Sequence, residues 1–367
     1  MGSDYQEVST PMRELDLNAV HAAVAGGSVL AAGGGGWVDH GMLVGTTAVQ
    51  YGSPRLVTLE ELDPDAMLAT VSAIGAPAAV GWEMRPGDYV RALELLMEAV
   101  DEPIVGTVTA QNGSSTTCNG WVASAVLGTV VVDAAGDGRA HPTGKMGSFG
   151  LAADDDYETV QAVAGGNRAQ ERYLEVVTRG TVRRTANVLR TAADMSGGFI
   201  SCARNPLPAS FVAAHAAVGA ISFALSLGES ILAAESGGPE AMIEATAEHL
   251  GGRILERGTV ASKTLRTENA FDIGTIVVSA LELGFVNEYL TAESGGERLA
   301  TFPDVLATLS PKTGRIISIA NLQEGDEVAV LHVPKANVPL GDGVREPSVY
   351  PEVEAMLGKP LAEYALA

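Results

Sequence analysis

Residues 110–150 read AQNGSSTTCNGWVASAVLGTVVVDAAGDGRAHPTGKMGSFG, and this stretch decides the fold class. A polar loop that contains Cys118 comes first. It is followed by a predicted short helix over Trp121–Leu127 and a predicted strand over residues 129–133. The strand is β-branched up to its closing aspartate and lacks polar alternation, which is typical of a parallel sheet covered on both faces. The stretch therefore predicts an α/β fold.

A turn rich in glycine follows the strand and carries most of the predicted site. Asp133 closes the strand, and Asp137, Arg139, His141 and Lys145 come after it. Ligands of open α/β sheets collect outside the carboxyl ends of such strands. We therefore predict that Asp133, Asp137 and His141 are catalytic and that Arg139 and Lys145 bind substrate. The alternative is a solvated turn in which Arg139 pairs with Asp137.

The polar loop that precedes the helix is expected to lie beside this turn, because short connections leave sequential elements adjacent in space. Cys118 is a further catalytic candidate. It would attack the substrate directly with His141 as base, provided that a nearby cation lowers the pKa of the thiol. Asn112 and Asn119 are predicted to contact the substrate from the same loop.

A run of four glycines at residues 33–36 forms a second candidate loop, between a predicted strand over residues 28–32 and a helix that begins near Met42. Backbone amides without side chains can approach a small polar ligand closely. The predicted substrate contacts in this loop are Gly34, Gly35 and Gly36. The lysine of a phosphate-binding loop is missing, so no nucleotide is expected. A tightly packed turn explains the glycines equally well.

Asp39 and His40 follow the glycines. Together with His141 they are candidate ligands for a divalent metal ion, which would lower the pKa of a bound water. No pair among them shows a recognised zinc spacing such as His-Glu-x-x-His. Activation of water by His141 or Asp137 is therefore preferred to activation by a metal ion.

The bulk composition limits the classes of function. The chain has 367 residues, 46% hydrophobic and 19% charged, which predicts a large core and two domains. The formal net charge of −22 argues against nucleic-acid binding. Two distant cysteines form no disulfide framework, the first residues lack a secretion signal, and no apolar run reaches the length of a membrane span. A cytoplasmic protein that does not bind membranes is expected.

The order of predicted elements divides the chain. Alternating strands and helices predict an N-terminal three-layer α/β domain with a mostly parallel sheet over residues 12–167. Residues 168–367 are predicted to form a helical segment followed by a smaller β-rich C-terminal domain, in which no acid/base cluster stands out.

The middle of the chain is predicted to be helical over residues 157–164, 170–193 and 210–234, because these segments are rich in alanine, leucine and valine. Small residues across 213–234 allow close helix packing and indicate a homo-oligomer. An internal core helix explains the same small residues equally well.

Several stretches resemble a known family. They are GGGGWVDHGMLVG at 33–45, GAP at 75–77 with Glu83 downstream, LGTVVVDAAGDGRAHP at 127–142 and GTVASKTLRTENAFDIGTI at 258–276. In this order and spacing, which extend over nearly the whole chain, they resemble a bacterial family named for S-methyl thiohydantoin desulfurase.

The resemblance implies an α/β N-terminal domain, a β-rich C-terminal domain and hydrolysis of a five-membered thiohydantoin-like or hydantoin-like ring, with Glu83 among the substrate contacts. Relatives often neighbour hydantoinase and oxoprolinase subunits. The alternative is therefore a non-catalytic small-molecule binder that partners a hydantoinase-type enzyme. At Gln111, Ala135 and Thr143 the family pattern carries acidic residues that this chain lacks.

Overall fold

The computed structural model of the protein describes residues 13–367. The predicted absence of a secretion signal concerns residues 1–12, which lie outside the described part of the chain. Among residues 13–367, no helix is both long enough and apolar enough to cross a membrane.

Nine strands of the described chain form the first sheet. They are β1 (Arg13–Glu14), β2 (Arg55–Val57), β3 (Met67–Gly75), β4 (Ile104–Thr109), β5 (Val130–Ala135), β6 (Glu158–Gly165), β7 (Leu174–Thr181), β8 (Phe199–Pro208) and β9 (Ala217–Val218). The order is β1-β2-β5-β4-β3-β8-β6-β7, with β9 on β5. Strands β2, β5, β4 and β3 run parallel, and β8, β6 and β7 extend the sheet in antiparallel pairs.

Helices cover this sheet on both faces. In chain order, the helices of residues 13–367, some of which pack on other parts of the molecule, are α1 (Leu17–Leu30), α2 (Val38–Tyr51), α3 (Pro86–Ala99), α4 (Trp121–Leu127), α5 (Val182–Met195), α6 (Ala209–His215), α7 (Ala220–Ala233), α8 (Pro239–His249), α9 (Tyr350–Leu357) and α10 (Ala362–Ala365). Alternate residues of β6 show the layering, since Ala162 and Ala164 belong to the core that includes α3, whereas Val163 packs with Leu189 of α5.

The second sheet is antiparallel throughout. Its strands are β10 (Arg253–Glu268), β11 (Phe271–Val278), β12 (Leu281–Val286), β13 (Glu288–Ser294), β14 (Glu297–Thr301), β15 (Val305–Leu309) and β16 (Glu327–Val333). Their order is β14-β13-β12-β11-β10-β16-β15. The predicted α/β class and the β-rich C-terminal part are confirmed.

Several predicted elements in the middle of the chain are wrong. Residues 158–164 belong to the strand β6, and the first half of the segment 170–193 contains the strand β7. Alanine and valine suit a helix, but they also suit a strand that is buried on both faces, as β6 is along most of its length. Residues 28–32 are predicted as a strand. In the structure, residues 28–30 are the last residues of helix α1, and residues 31–32 begin the turn that follows it.

Residues 210–234 form two helices, α6 and α7, separated by the short strand β9. Helix α7 packs against α1 within the same chain, and this packing accounts for its small residues. The homo-oligomer stays a prediction. Strands from both sides of residue 167 belong to the first sheet, and the domain boundary at that residue likewise stays a prediction.

Candidate active site

A cavity lies at the carboxyl ends of the parallel strands. The end of β3, the residues after β4 and the turn after β5 line it, together with Gly35 and Gly36 and with residues at the start of β13. The part of it that the centres of water-sized spheres can occupy measures about 50 Å³. This is the place at which open α/β sheets bind ligands, and both sheets contribute to it.

His141 is the one predicted catalytic residue that lines the cavity. Its Nε2 lies 3.2 Å from the carbonyl oxygen of Ala110, and its backbone N–H donates to Oε1 of Gln111 at 2.9 Å. A carbonyl oxygen can only accept, so Nε2 carries the hydrogen and Nδ1 carries a lone pair. Nδ1 is buried and has no hydrogen-bond partner among the described residues.

The electrostatic environment keeps His141 neutral. Burial lowers the pKa of its imidazole to about 3, and the nearby positive charge of Arg204 acts in the same direction. A neutral imidazole with such a low pKa is a weak proton acceptor. The lone pair on Nδ1 is therefore suited to accept a hydrogen bond from a ligand N–H.

Two arginines line the cavity. Arg204 on β8 is 2% exposed, its Nη1 lies 3.4 Å from the carbonyl oxygen of Gly144, and its Nε has no partner among the described residues. Arg190 on α5 donates to the carbonyl oxygen of Ala270 at 2.9 Å and stacks on the Phe271 ring. Burial lowers the pKa of both guanidinium groups, that of Arg190 to about 10, so Arg190 stays cationic at neutral pH.

The cavity also contains a carboxyl group, that of Glu288 at the start of β13. Glu288 is 3% exposed, and its Oε2 has no partner among the described residues. Burial raises the pKa of this carboxyl to about 8, against the lowering effects of Arg139 and of a hydrogen bond from the Gly35 backbone. A group with such a pKa can take up and release a proton near neutral pH.

The glycine loop holds Glu288 in place. A Cβ atom on Gly34 would lie 2.6 Å from Oε1 of Glu288, so a side chain there would displace the carboxyl. The backbone N–H of Tyr289 donates to the Ala32 carbonyl oxygen at 2.8 Å, and that of Ile319 donates to the Gly33 carbonyl oxygen at 2.9 Å. The glycines thus allow the second sheet to approach the first closely.

Asp137 and Arg139 do not line the cavity, although the sequence predicts both as site residues. Each is fully buried, so the alternative of a solvated turn is wrong. Arg139 donates to the carbonyl oxygens of Ala140 (2.7 Å), Asp304 (2.6 Å) and Tyr289 (3.3 Å). It therefore connects the turn to the second sheet. Burial raises the pKa of Asp137 to about 8.

The remaining polar residues of the predicted site form hydrogen bonds with backbone groups of neighbouring segments. Oδ1 of Asp133 accepts from the Ser222 N–H at 2.9 Å, at the start of α7. The amide of Asn112 donates to the carbonyl oxygens of Gly138 and Ala220. Asn119, oriented with its amide nitrogen towards the carbonyl oxygen of Ser115 at 2.9 Å, joins the polar loop to its neighbours.

Neither cysteine lines the cavity. Cys118 belongs to the core that includes Trp121, and burial raises the pKa of its thiol to about 12. No cation lowers it, and the geometry does not support the predicted role as a nucleophile. Cys202 on β8 is buried as well, and its Sγ lies 2.9 Å from Oγ of Ser72.

Two further predicted contacts lie away from the cavity. Glu83 accepts from the Arg168 backbone N–H at 2.8 Å and from the Arg85 side chain at 2.7 Å. These bonds lower the pKa of its carboxyl, the backbone bond most of all. Lys145 pairs with Glu352 at 2.5 Å. Both residues therefore have structural partners outside the cavity.

The three candidate metal ligands are not brought together. Asp39 is exposed on α2, while the Nε2 of His40 lies 3.1 Å from the Tyr89 hydroxyl. Burial lowers the pKa of His40 to about 4. Among residues 13–367, no group of three His, Cys, Asp or Glu side chains has the arrangement to hold a metal ion.

Two family models match the chain. The model described as S-Me-THD-like, N-terminal domain, matches residues 18–171, and the model described as S-Me-THD-like, C-terminal domain, matches residues 181–338. The chain belongs to the S-Me-THD-like family. The resemblance found in the sequence is confirmed, and the membership is consistent with a thiohydantoin-related role. A comparison with curated proteins finds no match.

A solved structure shares the fold. The X-ray crystal structure of a protein from Chromobacterium violaceum, a Northeast Structural Genomics Consortium target, matches with a TM-score of 0.70 and 22% sequence identity. The match covers 94% of this chain and 97% of that chain. At this identity the likeness shows the fold alone.

Gln111 and Thr143, at which the resemblance found in the sequence implies acidic residues, both line the cavity. The carboxyl in the cavity comes instead from Glu288, although the sequence predicts no acid/base cluster in the β-rich part. The signal that could have found Glu288 is its place beside Asn287 inside the otherwise apolar run of residues 285–290.

Proposed function

We propose that this protein is a hydrolase that acts on a five-membered cyclic amide-type ring of the thiohydantoin or hydantoin class. The observation that carries the proposal is the composition of the cavity: a lone pair on His141, two guanidinium groups and a proton-exchanging carboxyl converge on one space. Such rings present N–H donors and carbonyl or thiocarbonyl acceptors around a flat perimeter. The cavity groups complement both kinds.

Each group has a role in this proposal. Nδ1 of His141 accepts a hydrogen bond from a ring N–H and orients the ring. Glu288, in its ionised form, takes a proton from water while the water oxygen bonds to the ring carbon. Arg190 and Arg204 stabilise the negative charge that develops on the ring. The bond from that carbon to its leaving sulfur or nitrogen then breaks, and Glu288 returns the proton to the leaving atom. Where sulfur leaves, the new hydroxyl on the ring carbon becomes a carbonyl and its proton passes to the ring nitrogen.

The test compares the turnover of an S-methyl thiohydantoin by the wild type and by two variants. Glu288→Gln keeps the shape of the side chain but cannot exchange a proton, so we expect kcat to fall by about 10²- to 10⁴-fold. Asp39→Asn is the matched control, since Asp39 is exposed outside the cavity, and its turnover is expected to equal that of the wild type. An equal fall of kcat in both variants would contradict the role of Glu288, and so would an unchanged kcat in both.

A second candidate function is ligand binding without turnover, as part of a hydantoinase-type assembly. It is favoured by the neutral side chains at Gln111 and Thr143 and by the fact that neither Cys118 nor Cys202 lines the cavity. The two functions separate in one experiment. A binder retains affinity for the ring in calorimetry and releases no product, whereas a hydrolase turns over the same compound as an isolated chain.

A further inference from the structure

Strand β7 (Leu174–Thr181) forms one edge of the first sheet. Within residues 13–367, it pairs with β6 on one side and with no strand on the other. The pairing with β6 runs without a register shift from Thr181↔Glu158 to Leu174↔Gly165. No residue of β7 is buried, and Val177 in its middle is 42% exposed. The outer edge is therefore straight and accessible.

The edge lacks two of the features by which edge strands avoid pairing, a proline and a bulge. Proteins commonly protect such an edge with a proline, a bulge, charged side chains or a covering segment. The sequence of β7, LEVVTRGT, contains no proline, and its ladder contains no bulge. Every second residue of this eight-residue strand thus presents its backbone donor and acceptor to a further strand.

The side chains of β7 are complementary to their own copy. A two-fold axis perpendicular to the sheet relates the two copies without turning the sheet over. The side chains of directly opposite residues in the two β7 strands then lie on the same face of the joined sheet. With the axis at Val177, Glu175 lies opposite Arg179 of the second copy, and the two Val177 side chains face each other. An axis at Glu175 or Arg179 would instead place like charges opposite each other, which is unfavourable.

We propose that this protein forms a two-fold dimer in which β7 pairs antiparallel with β7 of a second copy, centred on Val177. The two first sheets become one continuous sheet across the interface. Within one chain, Glu175 accepts from Nε of Arg91 at 3.0 Å and from the Tyr173 hydroxyl at 2.8 Å. Arg179 contacts the carbonyl oxygen of Ala99 at the end of α3. This proposal is independent of the reaction at the cavity.

The test is sedimentation equilibrium of the full chain over a range of concentrations. The wild type is expected to be a dimer. Val177→Lys places two positive charges directly opposite each other on the axis and is expected to raise the dimer Kd by on the order of tenfold or more. Val188→Lys is the matched control, because Val188 is 44% exposed on α5, outside β7, and its Kd should equal that of the wild type.

A second variant tests the register. Arg179→Glu places two acidic residues opposite each other at both ends of the pairing, so it is also expected to raise the Kd by on the order of tenfold. Circular dichroism confirms that each variant is folded. A monomeric wild type at every concentration, or a dimer whose Kd neither Val177→Lys nor Arg179→Glu changes, would overturn the proposal.

Discussion

Arg139 shows how a charged residue next to a site can serve the fold instead. From the sequence, an arginine between an aspartate and a histidine after a buried strand is predicted to bind an anion. In the structure its donors are directed at three carbonyl oxygens, and its guanidinium lies over the Phe302 ring, 4.7 Å from the centroid. No donor geometry of this kind is visible in the sequence, because Tyr289 and Asp304 lie far along the chain.

We expect Arg139→Met to destabilise the protein by about 3 kcal/mol or more, because it removes charge-assisted hydrogen bonds and leaves buried carbonyl oxygens unpaired. The midpoint of urea unfolding measures the change. Arg184→Met is the control: Arg184 is exposed, and a change within about 0.5 kcal/mol is expected there. An unchanged midpoint for Arg139→Met, with weaker ligand binding, would instead favour the role of an anion-binding residue.

At the scale of elements, the crossing of α1 and α7 depends on small residues. Gly228 on α7 faces α1 so closely that a Cβ atom would overlap the carbonyl oxygen of Ala22. Gly26 on α1 makes the reciprocal approach to the carbonyl oxygen of Ala224. The sequence predicts close packing in this segment, but it cannot distinguish a partner helix in the same chain from one in a second copy.

Gly228→Ala should force the two helices apart and lower the free energy of unfolding by about 1 to 3 kcal/mol. Gly87→Ala is a matched control in α3, where nothing lies within 4 Å of the added methyl group. Alanine there is expected to be neutral or to stabilise the helix by up to about 1 kcal/mol. Thermal unfolding of both variants measures the difference. A Gly228→Ala variant that is as stable as the wild type would contradict the close packing of α7 against α1.

The strands show where sequence patterns become ambiguous. The strand β5 is recognisable from its valines, and its buried position fits the expected parallel sheet. The strand β6 contains the same kind of small apolar residues, yet the sequence pattern predicts a helix there. Both faces of β6 are covered, so no polar alternation marks a period of two residues. Whether such a segment becomes a helix or a strand is decided by the elements that pack against it, which are distant in sequence.

At the scale of the whole molecule, the candidate site is a product of both sheets. The sequence predicts one part of it, since the glycine loop and His141 do meet at the carboxyl ends of the parallel strands. The thiol, Asp137 and Arg139 do not join them. Glu288 and Arg204 come from strands of the second sheet and of the antiparallel extension, which no local pattern connects to residues 110–150.

The central claim is that the carboxyl of Glu288 exchanges the proton of the reaction. The most direct test is the pH dependence of kcat/KM for hydrolysis of an S-methyl thiohydantoin, which reports the pKa of groups in the free enzyme. Since the ionised form is the base, activity should rise with pH and level off above a pKa of about 8. The Glu288→Gln variant should lose this rise. A wild-type profile without a step near that pKa, or one that Glu288→Gln leaves intact, would contradict the claim.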